Sequence, residues 1–158
     1  MATLNESGDL KARLHADLTT AIKARDELRM RTLRGVLSAI TNEEVAGAQA
    51  RALSDDEIVR VLGREAKKRR EAAEAFDAGN RPELAERERA EGGVIDDYLP
   101  AQLTDDELRA LVAAAVDEAN AAGPQAMGAV MKLVTPRVAG RAEGGRVAAE
   151  VRRQLASS

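Results

Sequence analysis

Apolar residues recur at every third or fourth position along most of this chain, which is the spacing of one face of an α-helix. Two such sets near the N-terminus are Leu10, Leu14, Leu18 and Ile22, followed by Met30, Leu33, Leu37 and Ile40. No stretch alternates apolar and polar residues for long enough to predict a β-strand. The periodicity therefore predicts an all-α protein.

The residue types available for a core favour the same fold class. Phe76 and Tyr98 are the only aromatic residues, so any core is built from Ala, Leu, Val, Ile and Met. Ala and Leu are strong helix formers, and small side chains allow helices to pack closely. The chain of 158 residues is long enough for one ordinary domain or two small ones.

Two nearly identical phrases, LSDDEI at 53–58 and LTDDEL at 103–108, mark helix starts. In each phrase a Ser or Thr is followed three residues later by Glu, which is the capping-box pattern. The two acidic residues between them favour the positive end of the helix dipole. Because the sequences after the two phrases differ, we interpret them as two helix starts and not as an internal repeat.

Pro100 marks a boundary between two parts of the chain. A proline disfavours helical geometry in the residue before it, so one helix should end at about Tyr98 and the next should begin at about 104. We predict an N-terminal helical domain, residues 1–99, with four helices arranged as two helical hairpins. A compact C-terminal three-helix domain, residues 100–158, should follow it.

Glycine and proline predict the remaining breaks. Gly79-Asn80 should end the third helix, and Pro82 suits the first turn of the fourth. Gly92-Gly93 predicts a kink or an early end within the fourth helix, because each glycine costs about 1 kcal/mol relative to alanine there. The three C-terminal helices are expected at about 104–121, at about 125–135 ending near Pro136, and at about 145–156.

Sequence patterns of common catalytic sites are missing from this chain. It contains no phosphate-binding glycine loop and no GxSxG elbow. The single histidine, His15, cannot form a paired-histidine metal site within one chain, and a surface or interface position is expected for it. Two of the three acidic pairs, 55–56 and 105–106, belong to the capping boxes. We therefore expect no catalytic residue, no metal and no cofactor.

Three negative features bear on the compartment. The absence of cysteine excludes disulfides, cysteine zinc sites and thiol catalysis. No apolar run approaches the roughly 20 residues of a membrane span. The N-terminal stretch MATLNESGDLKARL lacks the pattern of a signal peptide. These features predict a cytoplasmic protein that does not bind a membrane.

The charge distribution is uneven although the net charge is only −3. Residues 124–158 carry six basic side chains against two acidic ones, a net charge of +4: Lys132, Arg137, Arg141, Arg146, Arg152 and Arg153 against Glu143 and Glu150. Glycine and arginine around a loop and a helix start suit a phosphate backbone. Without aromatic residues for base stacking, an RNA would be recognised by its folded shape and phosphates. A merely solvated surface remains the alternative.

A second basic run, REAKKRR at 64–70, lies in the predicted third helix. Its five cations should point in several directions around the helix, and Glu71 and Glu74 can pair with them at spacings of three or four. A solvated helix face and a face that binds RNA or a protein partner both remain open for this run.

Several segments, in the same order, resemble the GatB/YqeY family. They are MGAVMKLVTPRVAGRAEGGRVAAEVRRQL at 127–155, YLPAQLTDDEL at 98–108, ARDELRMRTLRGVLSAITNEE at 24–44 and REAKKRREAAEAFDAGNRPELAERE at 64–88. The resemblance extends over about residues 10–156. It is strongest to the free-standing YqeY-like proteins, and it implies a four-helix part followed by a three-helix part.

The resemblance also implies a function. The C-terminal part is similar to the tail domain of the tRNA-dependent amidotransferase B subunit, which helps to hold the tRNA. The family label of carbon–nitrogen ligase with glutamine as amido donor comes only by association, because the catalytic part of that subunit has no counterpart here. The implied role is that of a non-catalytic accessory protein that binds tRNA and serves a tRNA-processing or amidotransferase protein. The alternative is a helical protein–protein interaction module without RNA binding.

Carried over residue by residue, the resemblance implies four nucleic-acid contacts: Lys132, Arg137, Arg141 and Arg146. It implies structural roles for two glycines, Gly128 for a close approach of helices and Gly140 for a turn.

Overall fold

The computed structural model describes residues 9–157, and these form helices and connecting loops without a β-strand. The all-α prediction is confirmed. The helices are α1 (Asp9–Ala24), α2 (Glu27–Glu44), α3 (Asp55–Ala78), α4 (Pro82–Asp96), α5 (Asp105–Ala119), α6 (Met127–Val138) and α7 (Gly144–Ala156), with one 3-10 turn (Pro124–Ala126) before α6. None of these helices is long and apolar enough to cross a bilayer.

The contacts divide the chain into two compact units, here the first unit, which ends at Leu99, and the second unit, which begins at Pro100. In the first unit α1 packs on α2 and α3 packs on α4. In the second unit α5 contacts both α6 and α7, and α6 contacts α7. Whether each unit folds as an independent domain stays a prediction.

Each unit has its own aliphatic core. The largest fully buried side chains of the first unit are Leu14, Leu33, Val36, Ile40, Ile58, Leu62 and Ile95. Those of the second unit are Val112, Val130, Val134, Val151 and Leu155. Valine is a thin, stiff side chain, so a valine-rich core allows three helices to pack closely and with few alternative rotamers.

Both capping boxes form as predicted. The Ser54 hydroxyl accepts a hydrogen bond from the Glu57 amide at 3.2 Å, and the Glu57 carboxylate accepts one from the Ser54 amide at 3.2 Å. The matching distances for Thr104 and Glu107 are 3.1 and 3.0 Å. Each box therefore satisfies two amides at the start of a helix.

Two predicted helix ends differ from the structure. The fourth helix does not end early, because α4 continues through Gly92 and Gly93 to Asp96. Gly92 is buried, and a Cβ atom built on it would lie 3.6 Å from Cβ of Arg69, so its missing side chain lets α3 and α4 approach. The helix α6 continues past Pro136 to Val138, since a proline in the last turn removes only one backbone hydrogen bond.

Candidate nucleic-acid interface

The four predicted contact residues all lie in the second unit but on different elements. Lys132 and Arg137 belong to α6, Arg141 to the loop that follows it, and Arg146 to the first turn of α7. The structure gives them different surroundings. Three of them bond to other groups of the same unit, and one does not.

Arg141 closes the end of α6. Its Nε and Nη2 atoms donate to the carbonyl oxygens of Val138 at 3.2 Å and Arg137 at 2.8 Å. Its own carbonyl oxygen accepts from the amide of Leu103 at 2.7 Å. The last carbonyl groups of a helix lack partners within that helix, so Arg141 supplies donors that the end of α6 needs.

Arg146 and Arg137 each link their helix to α5. Arg146 Nη2 donates to the Leu103 carbonyl and to Asp105 Oδ1, both at 2.8 Å. Arg137 Nη2 lies 2.6 Å from Glu118 Oε2. Both arginine side chains remain about one-third exposed, so part of each guanidinium group is still accessible to a ligand.

Lys132 is exposed and, within residues 9–157, makes neither a hydrogen bond nor an ion pair. Arg152 on α7 has the same properties. These two side chains are the cations of the second unit that the described contacts leave without a partner.

The charges of the second unit are separated between its helices. The helix α5 carries five acidic residues and one arginine, a net charge of −4, whereas residues 124–158 carry +4. The pairs Arg146–Asp105 and Arg137–Glu118 join the two sets. The unit is therefore neutral as a whole but has a basic part formed by α6, α7 and the loop between them.

Two further arginines lie close to this basic part. Arg109 on α5 and Arg153 on α7 both line the groove between these helices. Hydrogen bonds from Arg153, and then from Gln154, lower the pKa of Glu150 to about 2. Arg153 appeared in the sequence only as part of the local charge count, and Arg109 was missed because it lies in the most acidic helix.

The two glycines have different outcomes. Gly140 has a φ of 80°, in the left-handed region that favours glycine, so the predicted turn is confirmed. The predicted close approach at Gly128 is wrong, because a Cβ atom built there would meet nothing within 4 Å. Gly128 lies on an exposed part of α6 and contacts no second helix at that point.

The basic run of α3 is divided by the fold. Arg69 is turned inward, with Nε 3.1 Å from Glu91 Oε2 on α4. Arg64 and Lys68 are exposed and pair with Glu43 and Glu65 at 3.3 and 2.9 Å. One member of the run therefore joins two helices, and whether the exposed members bind a partner stays open.

No group of three or more His, Asp or Glu side chains within residues 9–157 is arranged to hold a metal ion. The His15 side chain is exposed on α1. The acidic residues of the two capping boxes are occupied by helix amides, which agrees with their predicted structural role.

Curated relatives of this chain carry the name "Altered inheritance of mitochondria protein 41, mitochondrial". The protein from Lachancea thermotolerans is 37% identical over 91 residues, which cover 58% of this chain and 48% of that protein. The protein from Clavispora lusitaniae is 35% identical over 92 residues, which cover 58% and 52% of the two chains. The chain therefore spans about half the length of the curated relatives it matches.

These relatives overturn the predicted cytoplasmic location, because their names place them in mitochondria. The prediction depended mainly on the absence of cysteine. That absence excludes a disulfide framework, but a protein without cysteine is compatible with any compartment, so it could not support the assignment.

A sequence profile of the family described as Yqey-like protein matches residues 11–155. The match includes all of α2 to α6 and most of α1 and α7. It therefore covers both units and the four predicted contact residues. This chain belongs to the YqeY-like protein family.

Proposed function

We propose that this protein is a non-catalytic accessory protein that binds folded RNA of the tRNA class through its second unit. The contact surface is the basic part formed by α6, α7 and their connecting loop, with Lys132, Arg137, Arg141 and Arg146 as members. The protein that it serves would be a tRNA-processing enzyme or an amidotransferase.

The separation of charge within the second unit carries this proposal. A net charge of +4 on residues 124–158 opposes −4 on α5, so the unit presents a basic side although its total charge is zero. Phosphate groups supply most of the electrostatic attraction in RNA binding and are contacted by Arg and Lys. The resemblance of residues 127–155 to the tail domain of the amidotransferase B subunit supports the same function.

Lys132 and Arg152 allow the sharpest test, because neither contacts another described residue and their removal should leave the fold intact. Arg141 is unsuitable, since its loss would open the end of α6. We expect the double variant Lys132→Gln/Arg152→Gln to bind total tRNA more weakly. The salt dependence of its binding constant should also fall by roughly one unit of slope per lost phosphate contact.

The matched control is Arg81→Gln/Arg87→Gln, which removes the same charge from exposed, partnerless positions in the first unit. Titrations at two salt concentrations measure both affinity and slope. Equal weakening in both double variants would show that only net charge matters. Absence of tRNA binding by the intact chain at micromolar concentration would refute the proposal and leave the protein-interaction module as the function to test.

A further inference from the structure

A groove runs along the second unit between α5 and α7. Two adjoining clefts of about 350 and 360 Å³ form it, and both are lined by Arg109 and Arg153. Arg146 lies at the end where the two helices begin, and the small side chains of Ala113 and Ala149 lie between the arginines. Three guanidinium groups from two helices thus share one surface depression.

Each of these arginines is held on one side by a neighbouring carboxylate. Arg153 donates through Nε and Nη2 to the two oxygens of Glu150, at 2.9 and 2.6 Å. Arg109 Nη1 donates to Asp106 at 2.9 Å. Arg146 Nη2 is bound to Asp105 and to the Leu103 carbonyl, as described above.

The remaining donors of the three groups make no hydrogen bond within the described part of the chain. They are Nη1 of Arg153, Nε and Nη2 of Arg109, and Nε and Nη1 of Arg146. A guanidinium group that is already held in place loses less side-chain entropy when it binds a phosphate, and its planar fork matches phosphate oxygens. The groove therefore offers several oriented donors for one extended anionic ligand.

The groove floor favours a phosphate backbone over an acidic protein helix. A helix bound in a groove is anchored by large apolar side chains that enter apolar pockets. Here the floor consists of alanine, and the large apolar residues exposed in residues 9–157 are Ile22 and Val45, both in the first unit. The groove matches the ligand in charge and in hydrogen bonding, but it provides little apolar anchorage.

We infer that the α5–α7 groove holds the phosphate backbone of the bound RNA, with Arg109 and Arg153 as contact residues and Glu150 as the residue that positions Arg153. The inference depends on the proposed function and names the contact surface for it. It extends that surface from α6 and α7 to α5, the helix whose net charge is negative.

The test is a salt titration of total tRNA against the full-length variant Arg109→Gln/Arg153→Gln, with Arg81→Gln/Arg87→Gln as the control for charge. We expect at least about tenfold weaker binding and a slope lower by about two for the groove variant, and little change for the control. Circular dichroism of each variant verifies that the helices are retained.

Other outcomes separate the inference from the proposed function. If Lys132→Gln/Arg152→Gln abolishes binding and the groove variant does not weaken it, the groove assignment is wrong and the proposed function stands. If the intact chain does not bind tRNA, both are wrong. If an acidic amphipathic peptide binds the intact chain, fails to bind the groove variant and does not compete with RNA, the groove belongs to a protein partner and the inference is overturned.

Glu150→Gln tests the positioning role separately. This change makes the protein more positive by one charge, so an RNA that responded only to net charge would bind more tightly. Because Arg153 loses the carboxylate that holds it, we expect several-fold weaker binding instead. Unchanged or tighter binding would overturn the assignment of Glu150 as a positioning residue.

Discussion

Arg141 illustrates at the scale of one residue how a predicted contact can have a structural role. Its side-chain donors reach carbonyl groups three and four positions earlier in the chain, at the end of its own helix. A basic residue near a helix C-terminus also interacts favourably with the negative end of the helix dipole. Any phosphate contact by Arg141 would therefore come from a side chain that is already oriented by the fold.

Ala139, two residues before it, adopts a backbone conformation that alanine disfavours. It lies at the C-terminal end of α6 with φ 48° and ψ 48°. This left-handed region costs a residue with a Cβ atom roughly 1–2 kcal/mol, whereas glycine adopts it freely. The position is one where helices commonly have glycine.

We expect Ala139→Gly to raise the free energy of unfolding by up to about 1 kcal/mol, because the relief of strain exceeds the greater backbone entropy of glycine in the unfolded chain. Chemical denaturation followed by circular dichroism measures the change. Ala129→Gly, at an exposed position inside α6, is the control and should lower stability by about 1 kcal/mol. Loss of stability in both variants would contradict the strain argument.

At the scale of the element, helices α3 and α5 begin with the same local chemistry in different units. The hydrogen bond from Arg51, together with those from Ser54, lowers the pKa of Glu57 to about 2. Bonds from the amide and hydroxyl of Thr104 lower the pKa of Glu107. Both carboxylates thus stay ionised at neutral pH, the state in which they accept hydrogen bonds from the helix start.

Replacing either capping hydroxyl should destabilise its own unit. We expect Ser54→Ala and Thr104→Ala each to lower the free energy of unfolding by about 1 kcal/mol, because one helix amide loses its acceptor. Urea denaturation measures the loss. Ser38→Ala, at an exposed position inside α2, should leave stability unchanged or slightly raised, since alanine is the better helix former. A comparable loss in this control would argue against the capping explanation.

At the same scale, an ionic cluster joins three helices of the first unit. Glu91 on α4 lies 2.6 Å from Arg31 Nε on α2 and 3.1 Å from Arg69 Nε on α3. Gly35 and Gly92 leave room for the Arg69 side chain, since Cβ atoms built on them would lie 3.8 and 3.6 Å from it. The bidentate use of one well-shielded carboxylate orients the two hairpins against each other.

At the scale of the whole molecule, the two aliphatic cores share no member. One contains Leu14, Leu33 and Ile58, and the other contains Val112, Val134 and Leu155. Because burial of apolar surface is the main favourable term in folding, two separate cores favour two separate cooperative transitions. This argument supports the predicted domain boundary at Pro100.

We expect Leu155→Ala to lower the stability of the second unit by about 2–5 kcal/mol through the lost burial and the cavity that remains. Leu14→Ala should do the same to the first unit. Amide hydrogen exchange of the full chain, followed residue by residue, can distinguish the units. Each variant should reduce protection only in its own helices, and equal loss of protection in α1–α7 from either change would show that the chain is one cooperative domain.

The sequence by itself determined the all-α class and the starts of α3 and α5, because periodicity and capping depend on residues within a few positions of one another. It placed the end of α4 and of α6 less accurately, since Gly92 and Pro136 were judged by local cost, and the packing of α3 on α4 could not be included. The charge separation between α5 and residues 124–158 was also present in the sequence.

Only the tertiary structure decided how the arginines are used. Arg146 meets Leu103 and Asp105, about forty positions earlier, and Arg109 and Arg153 share a groove although 44 residues separate them in sequence. Local rules cannot predict such neighbours, because they arise when separate helices pack their apolar faces together. The helices were therefore specified locally, and the candidate binding surface was specified by packing.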